Sequence, residues 1–170
     1  MTVSIPPVKN TRRPTPAGTF VQSVLAVSAR KDSDTPRLAA ALAAGSVEST
    51  RMLAVQTMYG LGVPDTTAGD PLAGEISETV LCLWGVKERL TRGAHVQGVS
   101  LAEALRSVSD PGFIVRSVVG SVGVVQRASL FRAVRLAKPF DFSKLADDLY
   151  RLQKFHDRSV AREWSSDLVN

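Results

Sequence analysis

The chain has 170 residues, 44% of them hydrophobic and 22% charged, which suits one compact domain or two small subdomains with no need of disulfide or metal staples. Its formal net charge of +5 is unevenly placed: residues 1–85 hold 7 Lys/Arg and 7 Asp/Glu, whereas residues 86–170 hold 14 and 9. A basic excess confined to one half points to an anionic partner, most often nucleic acid, with a plain solvated basic surface as the alternative.

In chain order, residues 1–19 carry four of the nine prolines together with Lys9, Arg12 and Arg13. They are expected to form a disordered basic arm with no apolar run of signal-peptide type. From Phe20 the period becomes helical. "FVQSVLAVSARK" puts Phe20, Val24 and Val27 on one face. "DTPRLAAALAAG" has a good N-cap in Thr35, Pro36 at the first helical position and Gly45 as a stop. "ESTRMLAVQTMY" predicts a third helix with Met52, Val55 and Tyr59 inward.

"GLGVPDTTAGDPLAG", residues 60–74, reads as a loop, and its Gly60 and Gly62 lack the third glycine of a phosphate-binding fingerprint. The uncharged stretch Met52–Pro64 is too short and too broken by glycine to span a bilayer. "EISETVLCLWGVKERL" predicts an apolar helix through Ile76, Val80, Leu83 and Trp84. The lone Cys82 lies within it as a small hydrophobe; it excludes an internal disulfide framework and fits a reducing, cytoplasmic setting.

"RGAHVQG" reads as a turn, and "SLAEALRSV" opens a helix with a capping box, Ser100 to Glu103. "FIVRSVVGSVGVV", residues 113–125, has the β-branched content of a strand between helical flanks; a helix weakened by Gly120 and Gly123 is expected. Residues 126–138, 142–155 and 158–168 complete the chain as three helices, the second capped by Asp141 or Ser143 and the third by Asp157. The expected class is all-α: a compact bundle of seven or eight helices in two small subdomains, residues 20–95 and 96–170, after the arm.

The basic excess is patterned. At 100° per residue, Arg127, Arg132, Arg135 and Lys138 share an arc of about 140° on one helix, with Leu130, Ala133, Val134 and Ala137 opposite. Phe131 falls among the cations. Like charges at this spacing repel by a few tenths of a kcal/mol per pair, so the stripe favours a polyanion. The next helix is expected to turn Leu145, Leu149, Leu152 and Phe155 to the core. Asp147 and Asp148 are adjacent and diverge by about 100°, too far to converge on one ion, so a structural role is expected for both. In the last helix Val160, Trp164 and Leu168 form a row with Arg158 and Arg162 beside it, and Trp164 reads as a packing anchor. His95 and His156 have no nucleophile or metal-ligand spacing around them, so no catalytic residue, metal, cofactor or small-molecule substrate is expected.

Several segments resemble a known family, the CasB small subunit of the type I-E CRISPR complex Cascade. "GVSLAEAL" (98–105) is similar to the family's G-x-SL-x-x-AL segment, and "LFRAVRLAK" (130–138) to its LRRAVRLLK-type helix. "DFSKLADDLYRL" (141–152) follows its Asp-Trp step and LxxDLxxW pattern, and "VAREWSSDLV" (160–169) its VRRRWARDF-like close. Order and spacing hold over residues 98–169. The chain departs from the pattern at Phe142, where the family has tryptophan, and near Leu152, where a second tryptophan is missing.

The resemblance implies a helical, non-catalytic protein present as two copies beside the backbone and large subunits of a guide-RNA complex. It also implies non-specific contacts to guide RNA and target DNA that stabilise the R-loop and its displaced strand. By residue match these contacts fall to Arg132, Arg135, Arg158 and Arg162; Lys138, Arg127, Lys144 and Lys154 are added from charge placement. Two other readings remain open. "SLAEALRSVSDPGFIVRSVV" can be read as a helix-turn-helix of a free DNA-binding regulator, though its second helix offers only Arg116 to base edges. A structural adaptor that meets an acidic protein is the other.

Overall fold

A computed structural model describes residues 14–30, 35–45, 51–119 and 127–169. Nine α-helices occur among them: α1 Pro16–Arg30, α2 Thr35–Ala44, α3 Arg51–Tyr59, α4 Pro71–Leu90, α5 Leu101–Ala104, α6 Pro111–Val119, α7 Arg127–Leu136, α8 Phe142–Phe155 and α9 Arg158–Val169. The all-α expectation holds. Residues 1–13, Gly120 and Gly123 lie outside the described residues.

α4 is the central helix. It buries Ile76, Val80, Leu83 and Trp84 as the periodicity predicts, and also Ala73, Ser77, Leu81, Cys82, Gly85 and Lys87. A helix buried on so wide an arc needs neighbours on several sides. α1, α2, α3, α7 and α8 all pack against it. One continuous hydrophobic core results, running from Ala17 to Trp164 and shared by residues on both sides of position 95. α2 approaches α4 closely at Gly85: a Cβ there would lie 2.6 Å from the Ala39 carbonyl oxygen and 2.7 Å from the Ala43 amide nitrogen.

Local chemistry corrects four of the boundaries and faces read from sequence. α1 starts at Pro16, not Phe20, so residues 14–19 belong to the folded body and not to an arm. Thr15 Oγ1 accepts from the Gly18 amide at 3.0 Å, and Pro16 opens the helix, repeating the Thr35–Pro36 signal. α4 starts at Pro71, inside the expected loop, because Asp70 caps it through the Ala73 amide at 3.1 Å. α3 turns Ala54 and Met58 inward, leaving Met52 70% exposed, Tyr59 exposed and Val55 half-buried. The end of α2 is the cause: a Cβ on Gly45 would sit 2.3 Å from Ala54 Cβ, so only a small side chain fits that contact.

α5 is a single turn rather than the longer helix expected. Ser100 Oγ does accept from the Glu103 amide at 3.1 Å, but the Ala104 carbonyl is taken by the Lys138 amide at 3.0 Å. That bond belongs to a strap joining two of the family-like segments. Phe140 donates to the Ala94 carbonyl at 3.0 Å and accepts from Val96 at 2.9 Å; Asp141 donates to the Val99 carbonyl at 2.7 Å. His95 lies in this strap, where its Nδ1 accepts from the Phe142 amide at 3.2 Å. Burial pushes the imidazole below its ordinary value, while the charges of Asp141 and Glu88 pull it up. The imidazole thus serves the turn as an acceptor.

Candidate nucleic-acid interface

α7 presents the stripe as its periodicity predicts. Leu130, Ala133 and Val134 are buried, and so is Ala137 just past the helix; Arg132, Arg135 and Lys138 are exposed. Arg132 and Arg135, three apart, are neighbours on the helix surface. Phe131 is half-buried, with the Arg135 guanidinium 5.7 Å from its ring centroid. This cation–π contact holds Arg135 along the helix surface while leaving its charge in solvent. The helix carries no acidic residue, so nothing within it neutralises the stripe. Arg127 is the first residue of α7, and its side chain lies outside the described residues.

A further cation sits beneath the stripe. Lys87, on α4, is buried, and its Nζ donates to the Arg135 carbonyl oxygen at 3.1 Å. An ammonium at a helix C-terminus meets the negative end of the helix dipole. Burial lowers its proton affinity from the ordinary lysine value. Lys87 is not among the cations expected beside this site. The signal was its spacing, four residues after Leu83, which places it on the buried stripe of α4.

The other cations are placed differently. Arg158 and Arg162 are exposed on α9, four residues apart, while Val160 and Trp164 are buried on the side facing the core. Lys154 is exposed near the end of α8, where its charge acts on Asp70. Lys144 is half-buried in a cleft of about 640 Å³ with Asp141, Asp147, Asp148, Glu163 and Asp167. Of the eight residues singled out, then, Arg132, Arg135 and Lys138 form one run, Arg158 and Arg162 another, and Lys144 and Lys154 sit among carboxylates.

The two aspartates point apart and make separate structural contacts. Asp147 Oδ1 accepts from the Thr15 amide at 2.9 Å and its hydroxyl at 2.6 Å, fastening the start of α1 to α8. Asp148 accepts from the Trp164 indole N–H at 2.8 Å. Trp164 is 1% exposed, the packing anchor expected of it. Phe142, at the family's tryptophan position, is fully buried and stacks on Phe140 with ring centroids 4.2 Å apart. That departure from the pattern therefore falls in the core and leaves the basic face untouched.

No family model matches the sequence, and a search of curated proteins gives no match. Among solved structures, the crystal structure of CasB from Thermobifida fusca superposes with a TM-score of 0.66 at 25% sequence identity. The match covers 91% of this chain and 98% of that one. The chain is CasB-like. The likeness extends well beyond the C-terminal segments that carried the sequence resemblance, since so large a share of both chains superposes. In the CasB-like chain, "GVSLAEAL" and "LFRAVRLAK" are joined directly, through the Lys138–Ala104 hydrogen bond.

Proposed function

We propose that the chain is the small subunit of a Cascade complex and that it acts there without catalysis. In this reading two copies join the backbone and large subunits in the cytoplasm, and the α7 face lies against the nucleic-acid backbone. The observation that carries it is the run Arg132, Arg135 and Lys138, exposed on and just past a helix with no acidic residue, in a CasB-like fold. Guide pairing reads sequence in such complexes, and R-loop formation is nearly balanced, so a few phosphate contacts tip it. Arg158 and Arg162 supply a second, separate set of contacts in this proposal. A regulator of helix-turn-helix type is less well supported, because its first helix would be α5, which spans only Leu101–Ala104.

The test is R-loop yield against salt for complexes carrying wild-type chain or the Arg132→Ala/Arg135→Ala double variant, matched for subunit content. Exposed substitutions change stability by under about 0.5 kcal/mol, so folding and assembly are expected to persist. The variant should give fewer R-loops. Each lost phosphate contact should also flatten the slope of log K against log salt by about 0.7 to 0.9. Unchanged yield and slope would make the stripe a solvated face. Loss of the subunit from the complex would make the arginines assembly contacts.

A further inference from the structure

α9 is held by few buried side chains: of its residues, Val160 and Trp164 are buried. Trp164 also bridges to α8, through its indole N–H to Asp148 Oδ2. The acceptor is unusual. Asp148 is 2% exposed, and Arg151 Nη1 stands 3.9 Å from its Oδ1, beyond hydrogen-bond length. Charges of both signs act on it: Lys144 and Arg151 from α8, Glu163 from α9. Asp141 and Asp147 share its cleft from the N-terminal end of α8, and Glu163 and Asp167 line it from α9, Asp167 accepting from the Ser100 hydroxyl at 2.7 Å. Lys144 and Arg151, both on α8, supply the opposing charge.

The other neighbours add little charge. Pro14, before α1, Gln22, within it, and Gln97 and Gly98, in the strap, are uncharged. On the α4 side, Asp70 is engaged farther along α8, with the Tyr150 hydroxyl and the charge of Lys154. A carboxylate so deeply buried favours its neutral form.

We propose that Asp148 and Trp164 form a proton-controlled latch that seats α9 on α8. A protonated Asp148 still offers an oxygen to the indole N–H and places no charge beneath α9. Ionised, it buries a desolvated charge beneath α9, which Glu163 also repels, and the seat loosens. Burial raises the Asp148 carboxyl to about 7, with Glu163 adding to the rise and the Trp164 hydrogen bond and Lys144 opposing it. The folded chain therefore keeps this proton to about pH 7, whereas the unfolded chain releases it near 3.8. Between those values the folded state binds more protons, so stability falls as pH rises through the window and levels off above it.

Among the other groups that shift, Asp147 and His95 do not report on α9. Burial also raises Asp147, whose bonds run to Thr15 and α1. His95 is lowered and contributes with the opposite sign, in the strap. The latch follows from this chain's own packing and is independent of the nucleic-acid reading.

The experiment is hydrogen exchange of α9 amides in the full chain, wild type against Asp148→Asn, from about pH 5.5 to about pH 8.5. Asparagine keeps an oxygen for the indole and cannot ionise. Comparing rates at the same pH cancels the intrinsic chemistry of exchange. The wild-type to variant ratio should be near one at the acid end and reach about tenfold or more at the alkaline end. A ratio that does not change with pH, or faster α9 exchange in Asp148→Asn at both ends, overturns the latch. Glu163→Gln gives a second reading, since removing that charge should move the midpoint of α9 loosening to lower pH. An unmoved midpoint there also counts against the proposal.

Discussion

Trp164→Ala is expected to destabilise the chain by about 3–5 kcal/mol, the range for truncating a large buried aromatic. Two losses combine. The indole is 1% exposed and is one of two buried side chains on α9, so its removal opens a cavity under that helix. It also strips Asp148 of the donor at 2.8 Å, leaving a buried carboxyl with an unmet acceptor, itself worth about 1–3 kcal/mol. Trp164→Phe separates the two, keeping most of the bulk and deleting the N–H. Chemical denaturation of the three chains checks the order: wild type most stable, Phe intermediate, Ala least. A Trp164→Ala chain that unfolds at the wild-type midpoint would mean that the indole is not buried in solution.

The second large effect is at Gly85. Helix propensity alone predicts that Gly→Ala inside α4 gains about 1 kcal/mol. Packing predicts the reverse, because the new methyl would meet backbone atoms of Ala39 and Ala43 at 2.6 Å and 2.7 Å. Backbone within a packed helix has nowhere to move, so overpacking should win and Gly85→Ala should lose about 1–3 kcal/mol. Gly74, in the same helix, is the control. A Cβ there meets only Thr67 Oγ1, at 3.9 Å, and Gly74→Ala should stabilise. Thermal melts of both variants decide the matter; a stabilised Gly85→Ala would show that α2 and α4 are not in close contact.

These two sites show where the sequence was readable and where it was not. Helix ends were readable wherever a side chain caps its own helix. Asp141 accepts from the Ser143 and Lys144 amides, and Asp157 from the Ser159 amide, at the starts expected for α8 and α9. The same chemistry marked Thr15–Pro16 and Asp70–Pro71, but there the surrounding prolines and glycines made the segments look like arm and loop. The stripe on α7 was readable because one helix carries both its faces. Contacts between helices were not. Nothing local tells that Gly85 faces the α2 backbone, that Ala54 outranks Val55 at the Gly45 contact, or that Asp148 and Trp164, sixteen residues apart, share a hydrogen bond.

The central claim is that this CasB-like chain works as a subunit of a guide-RNA complex. It is tested most directly by purifying the tagged chain from its native cells at moderate salt and measuring the mass and RNA content of what elutes. The account predicts an assembly far heavier than the 18.2 kDa chain, with guide RNA and two copies of the chain in each particle. A chain that elutes at its own mass without RNA, or bound to one preferred DNA sequence and no other subunit, would contradict it.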